Sequence, residues 1–252
     1  MISTLEKEIT FRFLKARKKD GFLNVISIFS FIGISLGVAV LIIVMSVMNG
    51  FRTELINKIV GFNAHITVKP YDIKIDETEK SNINFISQSL IFSNNGEAII
   101  MKENSSKGIV LRGYNSDDFS RLKIISNKNF LGNKTLNKNE ISIGKELSFS
   151  LGLKVGDNIT IMSPSGLDTI IGSLPKQKTF IITSLFESGL IDFDNNIAFI
   201  NLTTLEEFFN YKKKERILEI FLKNPQNIES QKAIVQKEFP NEFVYSWSDM
   251  NS

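Results

Sequence analysis

Polar and apolar positions divide the chain into stretches of different periodicity. No charged residue occurs between Gly21 and Phe51, and the densest apolar part runs from Val25 to Met48, bracketed by Asn24 and Asn49. A membrane-crossing helix needs about 20 mostly apolar residues, so the run predicts one transmembrane helix over 21–51. It exceeds the apolar region of a cleaved signal peptide, roughly 7–15 residues. The following Phe51-Arg52-Thr53-Glu54-Leu55 has no small-residue cleavage pattern, so an uncleaved anchor is expected. In the leading segment 1–20, Leu5, Ile9 and Phe13 recur at helical spacing with Lys and Arg between them. That is the pattern of a short amphipathic helix lying along a membrane face.

Past Phe62 the pattern turns to alternation. Ala64 to Val68 reads as a strand, and Ser81 to Ser89, with Ile83, Ile86 and Leu90 at helical spacing, reads as a helix. Ala98–Met101 and Gly108–Tyr114 read as strands joined by a turn over Glu103–Lys107. Near the other end, Arg216–Leu222 is a strand stopped at Asn224-Pro225, Asn227–Phe239 a helix and Phe243–Trp247 a strand. The two ends read β-α-β-β and β-α-β, which together predict a ferredoxin-like sandwich. The middle holds strands at Glu140–Gly144, Asn158–Met162, Thr179–Leu185 and Ala198–Asn201, with short helices opening at Lys145 and spanning Leu202–Phe209. The expected fold class is α+β: one N-terminal transmembrane helix, then a two-lobed outer domain. Segments 52–116 and 210–247 form a βαβ lobe, and 117–209 form an inserted, mainly β lobe.

Charge placement orients the anchor. Lys7, Arg12, Lys15, Arg17, Lys18 and Lys19 precede the apolar run, while only Arg52 and Lys58 closely follow it. The excess of basic residues on the cytoplasmic side of a span puts the N-terminus in the cytoplasm and the main domain outside. The formal charge of +3 adds nothing beyond this asymmetry. The chain has no cysteine and one histidine, His65. Disulfides, iron–sulfur clusters and cysteine zinc sites are thereby excluded. Serine-triad chemistry has no credible basis, and His65, in a strand pattern, is expected to be structural. No phosphate loop of the G-x-x-x-x-G-K-[ST] type occurs, so ATP hydrolysis, if it drives anything, belongs to a separate partner subunit, and no cofactor or metal is expected. Asp117-Asp118 and Glu206-Glu207 read as solvated faces, and Lys212-Lys213-Lys214 as a basic loop.

Two features point to partners. Gly33 and Gly37, with Ser27 and Ser30, form a small-residue stripe that admits a neighbouring helix. The excursion from Ser163 to Lys178 is bounded by Pro164 and Pro175 and carries Leu167, Ile170, Ile171 and Leu174. Apolar residues at a loop tip suit a docking surface; a buried β-hairpin is the alternative.

Phe11-Arg12-Phe13-Leu14-Lys15-Ala16-Arg17, Ile26-Ser27-Ile28-Phe29-Ser30, Leu36-Gly37-Val38-Ala39 and above all Met45-Ser46-Val47-Met48-Asn49-Gly50-Phe51 resemble the lipoprotein-releasing permeases LolC and LolE. Gly61-Phe62-Asn63-Ala64-His65-Ile66, the run from Gly152 to Asp157 and Tyr245-Ser246-Trp247 extend the resemblance along the whole chain. It implies a MacB-like periplasmic domain in the inner membrane of a bacterium. It also implies an ABC transporter built with an ABC ATPase subunit and a second permease subunit. ATPase motion there is relayed to the outer domain, which passes lipoprotein substrates to a periplasmic lipoprotein carrier. In LolC-like members the carrier docks on a hook, whose counterpart here is 163–178, with Lys176 and Lys178 placed to steer an acidic rim. LolC-like and LolE-like roles are both open to it. Family members carry three further spans after the outer domain, whereas this chain ends at Trp247-Ser248-Asp249-Met250-Asn251-Ser252; the expectation is a fragment, an early stop or a frameshifted gene. Two other readings stand beside this one: a macrolide-exporter-type permease, and a single-span anchored sensor or binding domain without an ATPase.

Overall fold

The computed structural model describes residues 4–14, 21–71, 75, 77–102, 105–169 and 172–249. The chain divides into two units, Met1–Ile56 and Asn57–Ser252. The first contains helix α1 (Thr4–Leu14) and most of helix α2 (Gly21–Phe62). Within α2 the window Val25–Phe51, 27 residues of mean hydropathy 2.8, is long and apolar enough to cross a membrane. At 1.5 Å per residue it spans about 40 Å, more than the roughly 30 Å of hydrocarbon it has to cross. Its side chains are exposed from Val25 to Phe51, which water disfavours and lipid accommodates.

The second unit is built on one ten-stranded sheet. Its strands are β1 (Ile66–Lys69), β2 (Ser87–Lys102), β3 (Ser105–Tyr114), β4 (Leu131–Gly132), β5 (Glu140–Gly144), β6 (Asn158–Thr169), β7 (Gly172–Phe186), β8 (Ile197–Asn201), β9 (Ile217–Leu222) and β10 (Phe243–Ser246). The helices are α3 (Glu77–Asn82), α4 (Ser116–Arg121), α5 (Lys145–Leu151), α6 (Ile191–Asn196), α7 (Leu202–Phe209) and α8 (Ile228–Glu238). At one end the order is β10-β1-β9-β2, every neighbour antiparallel. This is the ferredoxin-like order expected from the two βαβ ends. Ile66, Val68, Leu218, Ile220 and Leu222 bury one face of it with Val235 of α8 and Phe239, which caps that helix.

At the other end the pairing closes into a ring. β2 pairs β3, β3 pairs β8, β8 pairs β5, β5 pairs β7, β7 pairs β6, and β6 returns to β2 through Ile99–Met101 against Met162–Thr160. Alternate residues of a closed barrel point inward. Those residues here are Ala98 and Ile100, Ile109 and Leu111, Ile141 and Ile143, Ile159 and Ile161, Phe180 and Ile182, and Ala198 and Ile200, one contiguous core plugged by Leu205, Phe208 and Phe209 of α7. The β2–β3 hairpin serves both ends, so 52–116, 117–209 and 210–247 share one sheet.

Local chemistry sets the helix ends. The Asn201 side chain accepts from Thr203 N–H at 3.0 Å and Thr204 N–H at 3.4 Å, an N-cap that starts α7. Gly152 ends α5 at φ 59°, a left-handed position that a glycine takes without strain.

Three expectations are corrected. The helix over Ser81–Ser89 is absent: α3 ends at Asn82, and Ser87 opens β2. Ile83, Ile86 and Leu90 do face one core. They reach it from a turn and from a strand with a register shift between Ser87 and Ser89, which mimics the helical spacing. The turn expected over Glu103–Lys107 is tighter, because Lys102 already pairs with Ser105; Glu103 and Asn104 lie outside the described residues. Glu206, read as solvated, is buried. Leu202, Leu205, Glu206 and Phe209 share one helix face, and Arg216 meets the Glu206 carboxylate through Nε at 2.5 Å and through its second nitrogen at 2.8 Å.

Candidate functional site

Beyond Met162, β6 pairs only with β7. From Ser163 to Thr169 the two strands therefore form a free ribbon of about 20 Å at strand rise. Ser163 pairs with Lys176, and the next pair is Leu167 with Leu174, so residues 164–166 stand opposite Pro175 alone. Proline has no N–H for the ladder and is tolerated at such irregularities. Pro164 and Pro175 both fall there, and both are exposed. The excursion read from sequence is thus a paired ribbon, with Asp168 against Ser173 and Thr169 against Gly172 nearest its tip. Leu174 is 55% exposed. Ile170 and Ile171 lie outside the described residues, as does the side chain of Leu167.

The ribbon is anchored at its base. The Lys176 ammonium donates to the Glu207 carbonyl oxygen of α7, and Lys138 lies 3.9 Å from the Glu207 carboxylate. Lys178 sits 5.5 Å above the ring of Phe180, which is buried in the barrel. An isolated two-stranded ribbon is marginal in water; continuity with the barrel supplies the order that the ribbon lacks alone. On α2, Ser30, Gly33 and Gly37 are exposed, and an added Cβ at either glycine meets no atom within 4 Å. A second helix would find room there.

One polar cluster was missed by sequence reasoning. Glu219 of β9 is buried, and its carboxylate accepts from Ser93 Oγ at 2.6 Å, Tyr114 Oη at 2.9 and 3.0 Å and an Arg112 nitrogen at 3.0 Å. Arg112 also donates to Asn63 Oδ1 at 3.0 Å. Burial opposes the guanidinium charge, but the charge of Glu219 and its hydrogen bond to Arg112 outweigh it and hold Arg112 above its ordinary value. Burial also pushes the Tyr114 phenol well up, so it stays a neutral donor. The signal was available: one carboxylate inside the apolar run Ile217–Leu222 needs a buried partner. His65 is structural, as expected: Nδ1 accepts from Leu222 N–H at 2.8 Å, and the ring meets Phe221 edge-on.

This topology, a ferredoxin-like end continuous with a barrel, coincides with a family model described as the MacB-like periplasmic core domain, matched over residues 27–237. The chain belongs to this MacB-like family. Among curated relatives, the lipoprotein-releasing system transmembrane protein LolC of Xylella fastidiosa is 28% identical over 82% of this chain and 52% of its own length. LolC of Neisseria meningitidis is 26% identical over 98% of this chain and 62% of its own. LolE of Haemophilus influenzae is 27% identical over 81% of this chain and 51% of its own. The chain therefore spans about half to three fifths of the curated relatives it matches, and the LolC and LolE resemblance read from its residues holds over most of it. The β6–β7 ribbon lies within the residues that the family model matches.

Proposed function

We propose that the chain acts as a permease subunit of a lipoprotein-releasing ABC system. α2 anchors it in the bacterial inner membrane, with the N-terminus cytoplasmic and the second unit periplasmic. A separate ABC ATPase supplies hydrolysis, and a second permease subunit packs along the Ser30, Gly33 and Gly37 stripe. ATPase motion reaches the outer domain, which passes lipoproteins to a periplasmic carrier docked on the β6–β7 ribbon. Pro164, Leu167, Ile170, Ile171, Leu174 and Pro175 form that docking surface, while Lys176 and Lys178 favour encounter with an acidic rim.

The observation that carries this reading is the ribbon itself: a paired, proline-flanked projection with exposed Leu174, on a chain of this family. Docking onto a pre-ordered ribbon loses less entropy than docking onto a loose loop. The test is co-purification from detergent-solubilised native membranes, with and without 167–174. An ABC ATPase retained by both forms and a lipoprotein carrier retained only by the intact one is the expected result. Carrier capture by the deleted form would remove the docking role. Absence of an ATPase from both would replace the transporter with an anchored sensor.

A further inference from the structure

Three residues, Asn63-Ala64-His65, join α2 to β1. Connections between elements are usually where a fold has slack, and this one has little. His65 N–H donates to the Ile220 carbonyl at 3.0 Å, the His65 carbonyl accepts from Trp247 N–H at 3.1 Å, and the ring Nδ1 accepts from Leu222 N–H at 2.8 Å. Ala64 is buried, and none of the three residues is a glycine or proline. The boundary between the two units falls between Ile56 and Asn57, inside α2, so the last residues of the helix belong to the second unit. A displacement of those residues is felt directly at this joint.

The bonds of His65 run to β9 and to the residue just past β10, all at the open end of the sheet. Asn63 reaches further. Its Oδ1 accepts from one terminal nitrogen of Arg112 at 3.0 Å. Arg112 is in β3, where it stands opposite Phe199 of the barrel strand β8, and its other terminal nitrogen holds the Glu219 carboxylate of β9 at 3.0 Å. One guanidinium thus ties the joint, the open end and a barrel strand together. A planar fork of fixed donors holds two acceptors at a set angle, which a lysine ammonium on a flexible stem does not. The Arg112 side chain is 12% exposed and that of Glu219 7%, so water competes weakly for these charge-assisted bonds. Through backbone ladders alone, the path from β1 to β3 crosses β9 and β2, starting from the short pairing of Ile66–Val68 with Ile220–Leu218. The Asn63–Arg112 bond crosses no strand.

We infer that Asn63 and Arg112 are positioning residues for lipoprotein release, their bond passing displacement of α2 to the barrel and so to the ribbon that grows from it. The inference rests on the permease function proposed above and adds to it the residues at which motion is handed over. Both residues act through the barrel rather than on nucleotide or substrate.

The test measures lipoprotein released per ATP hydrolysed. The permease complex purified from native membranes is reconstituted in proteoliposomes with the lipoprotein that accompanies it, and the soluble carrier and ATP are added. Asn63→Ala removes the acceptor on the joint and leaves the Arg112–Glu219 pair intact. Tyr114→Phe removes a hydrogen bond from the same buried carboxylate and leaves the Asn63–Arg112 bond, so it controls for a loosened cluster. Asn63→Asp restores an acceptor of the same size.

Asn63→Ala is expected to hydrolyse ATP at the native rate and to release about tenfold less lipoprotein per ATP, within the range by which residues along a coupling network act. Tyr114→Phe keeps the native ratio, and Asn63→Asp regains most of it. A native ratio in Asn63→Ala overturns the inference. So do equal losses in Asn63→Ala and Tyr114→Phe, which would make the cluster structural only. An unaltered complex that holds no ATPase or releases no lipoprotein defeats the permease function itself, and this inference with it, before any variant is compared.

Discussion

The two ends of the sheet solve the same problem differently. The barrel closes on itself through β2 and β6, so none of its six strands has a free edge in the closed part, and its interior is hydrocarbon and aromatic. The ferredoxin-like end stays open at β10. Its strand β9 carries a buried carboxylate satisfied by Ser93, Tyr114 and Arg112. Closure fixes register by geometry, because a slip in one strand has to pass round the ring. An open sheet has no such constraint, and a charge that is tolerable in only one register supplies it instead. The ribbon then grows from the end that is already rigid.

The sharpest way to break the comparison is to empty the barrel. Phe180→Ala removes a fully buried ring from the core and is expected to cost about 3–5 kcal/mol, measured by urea unfolding of the chain in detergent. At the open end, Glu219→Ala strands the Arg112 charge and is expected to cost a comparable roughly 3–5 kcal/mol. The instructive variant is Arg112→Met with Glu219→Leu. Replacing a whole buried pair by packed apolar groups is often close to neutral, but Ser93 and Tyr114 would still lose their acceptor, so the double variant should regain only part of that loss. If it regains none, the network contributes more than mutual neutralisation. By contrast Leu174→Ala, in the ribbon, should stay within about 0.5 kcal/mol while weakening carrier capture; a loss as large as that at Phe180 would mean that the ribbon is part of the core.

Much of this was readable from residues, and the misses share a cause. The span, the strands of both ends, α8 and the short α7 announced themselves through local periodicity. Barrel closure did not, because Ile99–Met101 and Thr160–Met162 are far apart in the chain and nothing local selects that pairing. The candidate ribbon was legible by its prolines and apolar tip, but its pairing was not. Glu206 misled because it was read beside Glu207 rather than on the Leu202, Leu205 and Phe209 face. Glu219 stood out inside an apolar strand, yet its partner Arg112 lies 107 positions earlier. Charges are placed by tertiary neighbours, whereas hydrophobic periods are set by the element that carries them.

The smallest expected effect tests the open edge. Just past β10, the Asp249 carboxylate accepts from Lys232 at 2.7 Å and from the Ser246 N–H and hydroxyl, each at 2.7 Å. The Lys232 hydrogen bond is the largest influence, followed by those from Ser246, and together they lower the Asp249 pKa to about 2. An unfolded aspartate titrates near 3.9. The folded value is the lower one, so the contact stabilises fully above about pH 4 and is lost as pH falls towards about 2. Trp247, the single tryptophan, lies two residues away and reports on this end by fluorescence. The native chain should show a local acid transition in that window, while Asp249→Asn, which cannot titrate there, should lack it. Both chains should keep the far-ultraviolet signal of the barrel across the same range. A transition that persists in the variant would assign it to another carboxylate and leave the edge of β10 held by its backbone ladder alone.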